Sequence, residues 1–465
     1  MIERPDLHRA AREIFSEALK SVDAHDAVRR AVRLSGARLL SILDTSFDLM
    51  SRRAPLYAIA VGKAALAMAS GLDAVLGDNL SAGIITGSLT SQPGRGAVSE
   101  AVTERSFDER WQVFNGGHPL PNEESLRAAR ASFELLRRAE DERALVIFLI
   151  SGGGSAMIEW PRNEQTTLEE LRTANRALVS CGASIKEINA VRRAFSAVKG
   201  GGLAARAPHA DQVSLIVSDT GAGDEGAVAS GPTFESPPYD LEAGSVVARY
   251  HLSARLPASI LRAIDQPPAA PRAGGLPHSL RKHYVLLDND DAIAAAAEAA
   301  RLRGFTVEVA RDVVEQPVAE GSAGLVSRLI DLRRRAGGEG RVACLISGGE
   351  FACPVRGDGT GGRNAETALR CAIEMDAHAR SDHRASPSMR MLALSAGTDG
   401  IDGNSPAAGA AACELTLARA RDRGLDAQAF LDRSDAYTFF NKLGDAIVTG
   451  PTGTNVRDLR IMLAS

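Results

Sequence analysis

Apolar and polar positions along this chain fall into two recurring patterns. Short, nearly unbroken apolar runs occur at 56–61, 81–87, 145–150, 213–218, 283–287, 305–310, 342–346 and 391–395. Runs of that length predict strands buried on both faces. Between them lie stretches with apolar residues three or four apart, at 64–76, 123–139, 290–303, 319–335, 364–375 and 407–423. A longer helical stretch covers 167–206, interrupted around Gly182 and at 200–202. That period predicts helices laid on a sheet. Amphipathic helices are also predicted at 6–22 and 24–42, a strand ending at Phe114, and a closing strand at 445–448. Strands alternating with helices imply a largely parallel, doubly wound sheet.

The pattern breaks between residues 231 and 277. Eight of the twenty prolines fall there: Pro232, Pro237, Pro238, Pro257, Pro267, Pro268, Pro271 and Pro277. Proline removes donors and blocks regular elements, so this stretch reads as a connection with one short helix near 240–263. A chain of 465 residues is too long for one ordinary core. We therefore expect two α/β domains, at 1–240 and 281–465, joined by the proline-rich connection 241–280.

Four strands run directly into loops of Gly, Ser, Asp and Glu: LVIFLISGGGSA (145–156), VSLIVSDTGAGDE (213–225), ACLISGGE (343–350) and LALSAGTDGIDG (392–403). Ligands of open α/β sheets bind beyond the carboxyl ends of the strands. Glycine-rich loops expose backbone N–H groups that suit phosphate, and the interleaved carboxylates suit Mg²⁺. The loops thus predict an enzyme that handles phosphate with a metal.

Composition narrows the alternatives. Hydrophobic residues make up 45% and charged residues 24%, ordinary for a globular chain. A net charge of −4, with no dense basic run, argues against nucleic-acid binding. The five cysteines are odd in number and form no CxxC pair, which argues against a disulfide framework or zinc site. The first twenty residues are charged throughout, and no apolar run reaches the length of a membrane span. A cytoplasmic location is expected.

Two familiar nucleotide motifs fail on context. Gly221, Gly223 and Gly226 fit GxGxxG after a strand, but the helical signal stops at Ser230, before Gly231-Pro232. Gly62-Lys63, the one Gly-Lys pair, is followed by alanine, so no Walker A loop exists.

Lys63 sits between a buried strand and the start of a helix. A helix N-terminus disfavours a structural cation and favours holding an anion. The three glycines of SGGGS exceed what a tight turn needs and imply close approach of a ligand. In EINAVRRAFSAVKGG, helical spacing places Asn189, Arg192, Arg193, Ser196 and Lys199 toward one side. The loop GDGTGGRNAE (357–366) delivers Arg363 and Asn364 to a helix start, and so much glycine is costly to order without a ligand. Candidate nucleotide-binding positions are Gly152, Gly153, Gly154, Ser155, Gly348, Gly349, Glu350, Gly361 and Gly362. Candidate substrate contacts are Lys63, Ser151, Asn189, Arg192, Lys199, Arg363 and Asn364. For Mg²⁺, Asp219 and Asp224 lead, with Asp399 behind them. His118 in NGGHPLP is either a substrate contact or a hydrogen-bonded loop histidine.

Together these stretches resemble the type-2 glycerate kinase family, whose C-terminal half carries a MOFRL domain. The matching segments run nearly end to end and include AVGKAA, GGHPLP, LISGGGSA, GASIKEINAVRRAFSAVKGGGLA, SDTGAGDEGAVASGPT, LISGGE, GTGGRNAE, ALSAGTDGIDG and SDAYTFFNKLGDAIVTGPTGTNVRDLRIML. The resemblance implies ATP-dependent phosphorylation of D-glycerate, at the 2-hydroxyl to give 2-phosphoglycerate. It implies a Rossmann-like N-terminal domain, a distinct α/β C-terminal domain with its MOFRL region at about 340–460, and a catalytic cleft between them. The family's catalytic lysine and arginine fall on Lys63 and Arg363. Partners would be D-glycerate and ATP, with Mg²⁺, and a homodimer is the assembly to consider. The chain departs from the family pattern at SDTGAGDEG, which is commonly SDVPGDD, and at Ala365-Glu366, where GGRN is commonly followed by Gln-Glu. The competing readings are an NAD(P)H-dependent hydroxypyruvate or tartronate-semialdehyde reductase and a non-catalytic nucleotide or sugar-acid binding protein.

Overall fold

The computed structural model describes residues 6–36, 39–52, 54–87, 107–221, 223–235, 241–266, 279–337, 341–381 and 389–465. Among these, 24–287 form one compact unit, and 6–23 with 288–465 form the other. Both are α/β. Of the eight prolines named above, only Pro232 and Pro257 lie within the described residues.

The first unit begins with the helix Ala24–Ala31, followed by a three-stranded antiparallel meander of β1 (Val32–Ser35), β2 (Leu39–Ile42) and β3 (Thr45–Asp48). A single helix was expected over 24–42. The meander wins because Val32, Leu40 and Ile42 are buried while Arg33 and Ser35 face outward, which is a period of two. The main sheet comprises β4 (Leu56–Val61), β5 (Ala82–Gly87), β6 (Trp111–Asn115), β7 (Leu145–Ser151), β8 (Asp211–Val217) and β9 (Arg281–Leu287). Its order is β6-β5-β4-β7-β8-β9, and every pairing is parallel. The first three strands build outward one way from β4 and the last three the other way from β7. This is the doubly wound Rossmann order, and the reversal between β4 and β7 is where such sheets open a ligand crevice.

Several helices start where their caps dictate. Thr167 with Glu170 and Ser184 with Glu187 form capping boxes for Leu168–Val179 and Ile185–Phe195. The helical stretch expected over 167–206 is two helices, broken around Gly182 as expected, but the second ends at Phe195 and Ser196 is already extended. Strand β9 pairs with β8, so 281–287, expected to open the second domain, belongs to the first sheet.

The second unit contains β10 (Thr306–Val309), β11 (Ala343–Gly349), β12 (Met391–Gly397), β13 (Gly409–Cys413), β14 (Ala446–Ile447) and β15 (Asp458–Ala464). The order is β10-β11-β15-β12-β13-β14. Only β10 and β11 are parallel; the other pairings are antiparallel. One face is covered by the helices Leu7–Ser21 and Asn289–Leu302, the other by Val318–Ala336 and Arg363–Ser381. Strand β15 lies between β11 and β12, sending Leu459, Ile461 and Leu463 to one core and Met462 and Ala464 to the other.

Two expectations fail in this unit. The helix expected over 407–423 is strand β13 followed by the helix Thr416–Asp422. Alanine favours helix locally, but Gly409 packs so closely on β12 that a Cβ there would lie 2.0 Å from the Ser395 carbonyl oxygen, and pairing overrides propensity. The central strand β15 was not expected at all, because Asp458 and Arg460 interrupt its apolar pattern.

Ile461 has no exposed surface. Ile461→Ala should therefore cost about 2–5 kcal/mol. Urea unfolding of the second unit's transition would report this as a lower midpoint. An unchanged midpoint would contradict the central placement of β15.

Candidate active site

In the first unit, the ends of β4 and β7 are locked together. Gly62 has φ +116, and a Cβ on it would lie 2.3 Å from the Ser151 carbonyl oxygen. The Lys63 amide donates to the Gly152 carbonyl at 2.9 Å. The Ala64 amide donates to Ser151 Oγ at 3.0 Å, and Ser151 Oγ donates to the Val61 carbonyl at 3.3 Å. Ser151, expected to touch substrate, is fully buried and acts as a strut between the two loops. Gly153, at φ +79, gives the Lys63 side chain its path: a Cβ there would lie 3.0 Å from Lys63 Cγ and 3.5 Å from His118 Cε1. Lys63, Gly153 and His118 therefore converge at the strand-order reversal.

The loop continues into a hydroxyl chain. Ser230 Oγ donates to Asn189 Oδ1 at 2.8 Å and lies 2.7 Å from Ser155 Oγ. Because the Ser230 proton is already committed, Ser155 is the donor in that pair. Asn189 thus connects to the SGGGS loop through Ser230.

Lys199 differs from expectation. It is 1% exposed and ion-paired with fully buried Glu159, which also accepts from Ser196 Oγ at 2.5 Å and from the Trp160 amide at 2.9 Å. Burial lowers the Lys199 pKa, and Glu159 opposes that shift. Gly202, just beyond it, packs 2.3 Å (as a would-be Cβ) from the Ala197 carbonyl oxygen. The lysine is a buried structural charge rather than a surface contact. Arg192 is also largely buried, with Nε donating to Asn175 Oδ1 at 3.0 Å; burial lowers its pKa.

In the second unit, two carboxylates organise the GGRN segment. Asp402 accepts the Asn364 amide at 2.9 Å and the Ala365 amide at 2.8 Å, capping the helix Arg363–Ser381 from a distant loop. Asp458, at the start of β15, accepts Arg363 Nε at 2.6 Å, Arg363 Nη2 at 3.4 Å and Asn364 Nδ2 at 2.9 Å. Ser395 Oγ donates to Asn364 Oδ1 at 2.7 Å. Arg363 Nη2 also meets Glu350 at 2.6 Å. Burial disfavours the Arg363 charge, but Asp458 and Glu350 outweigh it, and the net pKa is raised.

The glycines of this unit serve protein contacts. A Cβ on Gly359 would lie 2.5 Å from the Arg433 carbonyl oxygen, and one on Gly362 would lie 2.4 Å from Asp402 Oδ1. The Gly361 amide donates to Asn404 Oδ1 at 2.8 Å and the Gly349 amide to Asn289 Oδ1 at 2.8 Å. Gly348 and Gly349 are inside β11, paired with Leu459 and Asp458. Arg460 donates to both of their carbonyls and stacks 3.6 Å above the Phe351 ring. Burial pulls its pKa down to about 10. The chain itself therefore orders the glycines expected to require a ligand.

None of Asp219, Asp224 and Asp399 belongs, among the described residues, to a group of acidic, His or Cys side chains with ligand atoms within 4.8 Å of one another. Asp224 pairs with Lys186 at 2.9 Å. Asp399 Oδ1 accepts the Ile401 amide at 3.1 Å. Asp219 directly follows β8 and Ser218. Single carboxylates of this kind fit Mg²⁺ carried in on phosphates, which needs only one or two protein carboxylates.

Comparison with known proteins decides the family. Residues 10–265 match a family described as a domain of unknown function (DUF4147), and residues 343–458 match the MOFRL family. Human glycerate kinase is 34% identical over 98% of this chain and 93% of its own length. The D-glycerate 2-kinase of Thermotoga maritima is 32% identical over 87% of this chain and 89% of its own. The chain belongs to the type-2 glycerate kinase family. A solved structure of glycerate kinase from Thermotoga maritima matches with a TM-score of 0.75 at 29% identity, covering 99% of each chain. A relative named putative hydroxypyruvate reductase, from Agrobacterium vitis, is 33% identical over 87% of this chain and 86% of its own. Among the described residues, no helix is long and apolar enough to cross a membrane.

Three organising residues of this family member escaped the sequence reading: Asp458, Arg460 and Glu159. For the first two, the signal was charge inside VRDLRIML, an otherwise apolar run. Glu159 gave none, since its partner Lys199 is 40 residues away.

Burial, with Asp458 adding to it, raises the Asp402 pKa from 3.8 to about 7, against the pull of the Ala365 and Asn364 amides and Arg363. The folded state therefore holds this proton more tightly than the unfolded state. The stability this provides is full below 3.8 and is lost as pH rises through about 7. Relative to Asp402→Asn, the parent should lose unfolding free energy across that window. Parallel stability–pH curves for the two proteins would contradict the raised value.

Proposed function

We propose that this chain transfers the γ-phosphoryl group of ATP to D-glycerate, at the 2-hydroxyl, giving 2-phosphoglycerate. The observation that carries the reading is Lys63, laid across Gly153 at the point where the strand order of the first sheet reverses. The glycerate kinases among its relatives support the same substrate.

Phosphoryl transfer rests on positioning and charge stabilisation, because charge spreads over the transferring group's oxygens. Lys63 supplies a cation at a helix start, where an anion is favoured. Ser155 and the backbone of Gly152, Gly153 and Gly154 lie beside it and suit the nucleotide phosphates. Arg363 and Lys63 each take one of the negative charges that glycerate and the phosphoryl group bring. Asn189, Arg192 and Asn364 shape and support these positions. Mg²⁺ would supply positive charge that offsets the charge of the phosphates. Asp219, which directly follows β8 and Ser218, is the leading residue to hold it.

Reductase chemistry finds less support. After β8, the GxGxxG segment leads only into the 3₁₀ turn Glu225–Ser230, not a full helix, and Asp224 and Glu225 would face a pyrophosphate.

Pure protein should form ADP only when glycerate and Mg²⁺ are both present, and should not oxidise NADH with hydroxypyruvate. The reverse pattern would overturn the reading. Lys63→Ala and Arg363→Ala should each lower turnover by about 10²-fold or more, the usual cost of losing a transition-state contact. Circular dichroism would confirm that both variants fold. Turnover within a few-fold of the parent would remove these residues from the site. Asp219→Asn should raise the Mg²⁺ needed for half-maximal rate, and an unchanged titration would make Asp219 a turn residue.

A further inference from the structure

The guanidinium of Arg363 has two carboxylate partners of very different character. Asp458 is 3% exposed and takes the Nε/Nη2 edge at 2.6 and 3.4 Å. The same carboxylate holds the neighbouring Asn364 through Nδ2. It sits in the first residue of a central strand, in register with Gly349 on one side and Gly397 on the other. Glu350 is 33% exposed, lies just beyond the end of β11, and meets Nη2 at 2.6 Å. Nη1 donates no hydrogen bond to any described residue, and the Arg363 side chain is 36% exposed.

This arrangement uses the guanidinium's donors in a definite order. The Nε proton and one Nη2 proton are committed to Asp458. Glu350 is ion-paired with the same Nη2 at 2.6 Å, and the remaining Nη2 proton shares the outer edge of the fork with Nη1. An incoming carboxylate or phosphoryl group seeking a two-point grip must use that outer edge. It would meet the negative charge of Glu350 there.

We propose that Asp458 is the positioning residue that fixes Arg363, and that Glu350 is an exchangeable carboxylate which the anionic substrate displaces from the outer edge of the guanidinium. The proposal rests on the reading of Arg363 as a substrate contact. Asp458 cannot leave, because it is buried in the strand and shared with Asn364. Glu350 is partly exposed to water, and its ion pair with Arg363 is of the partly exposed kind that is worth little. In the free protein Glu350 keeps the arginine edge occupied, and glycerate must compete with it.

The two carboxylates therefore predict opposite kinetic effects. Asp458→Asn leaves the charge of Arg363 but frees its orientation, so kcat should fall by about 10²-fold, the cost of a misplaced contact. The KM for glycerate should change much less. Asp458→Glu keeps the acceptor pair and should recover part of the lost kcat. Glu350→Gln removes the competing charge, so the KM for glycerate should fall about two- to fivefold.

Steady-state kinetics on Arg363→Ala, Asp458→Asn, Asp458→Glu and Glu350→Gln, with melting curves for each, separate the outcomes. If Arg363→Ala retains the parent's kcat and KM, the reading of Arg363 itself fails. If Arg363→Ala is inactive while folded Asp458→Asn keeps the parent's kcat, the positioning role fails. A Glu350→Gln variant with an unchanged or higher KM overturns the displacement. Should Asp458→Asn not fold, Asp458→Glu and the half-exposed Glu350→Gln still decide the question.

Discussion

One buried carboxylate carries much of the second unit. Asp458 opens the strand that runs through the middle of the sheet, and its two oxygens receive Arg363 twice and Asn364 once. Removing one partner of a buried ion pair leaves an uncompensated charge, which is far costlier than the pair is stabilising. Asp402 repeats the device one loop away by capping the helix that Arg363 begins. The glycines around them let backbone segments come close enough for these contacts. The loop that looks like a phosphate cradle in the sequence is thus also a packing junction, built to hold one arginine in a fixed pose.

The first unit solves a related problem with neutral groups. Ser151 ties the end of β7 to the turn after β4, and Gly153 leaves room for the lysine side chain. Here the strand order itself selects the place, because the chain leaves β4 toward β5 on one side and leaves β7 toward β8 on the other. Each unit therefore presents one oriented cation beside a loop of backbone donors. Phosphoryl transfer to a carboxylate-bearing alcohol asks for those two charges.

Much of this was legible in the sequence. Strands β4 and β7 at the middle of the first sheet are nearly uninterrupted apolar runs, and the SGGGS loop after β7 announces itself through Gly and Ser. The Lys63 and Arg363 positions follow from the same logic, since each stands at a helix start. What was hidden depends on partners far along the chain. Strand β15 looked broken because Asp458 and Arg460 are charged, yet both pair with groups about a hundred residues away. Strand β13 looked helical because alanine carries little strand signal. Lys199 looked like a substrate contact on one side of a helix, and only Glu159, in a different segment, makes it a core residue. Local pattern reads burial well when the buried groups are apolar, and poorly when they are paired charges.

The proposed phosphoryl transfer to glycerate assigns a role to Lys63 and a role to Arg363. Phosphorus NMR of the reaction of the intact protein with ATP, Mg²⁺ and D-glycerate tests it most directly. A new phosphomonoester resonance matching 2-phosphoglycerate should grow as ATP is converted to ADP, and should be absent with Lys63→Ala or Arg363→Ala. Formation of inorganic phosphate alone, or no change in ATP, would contradict it.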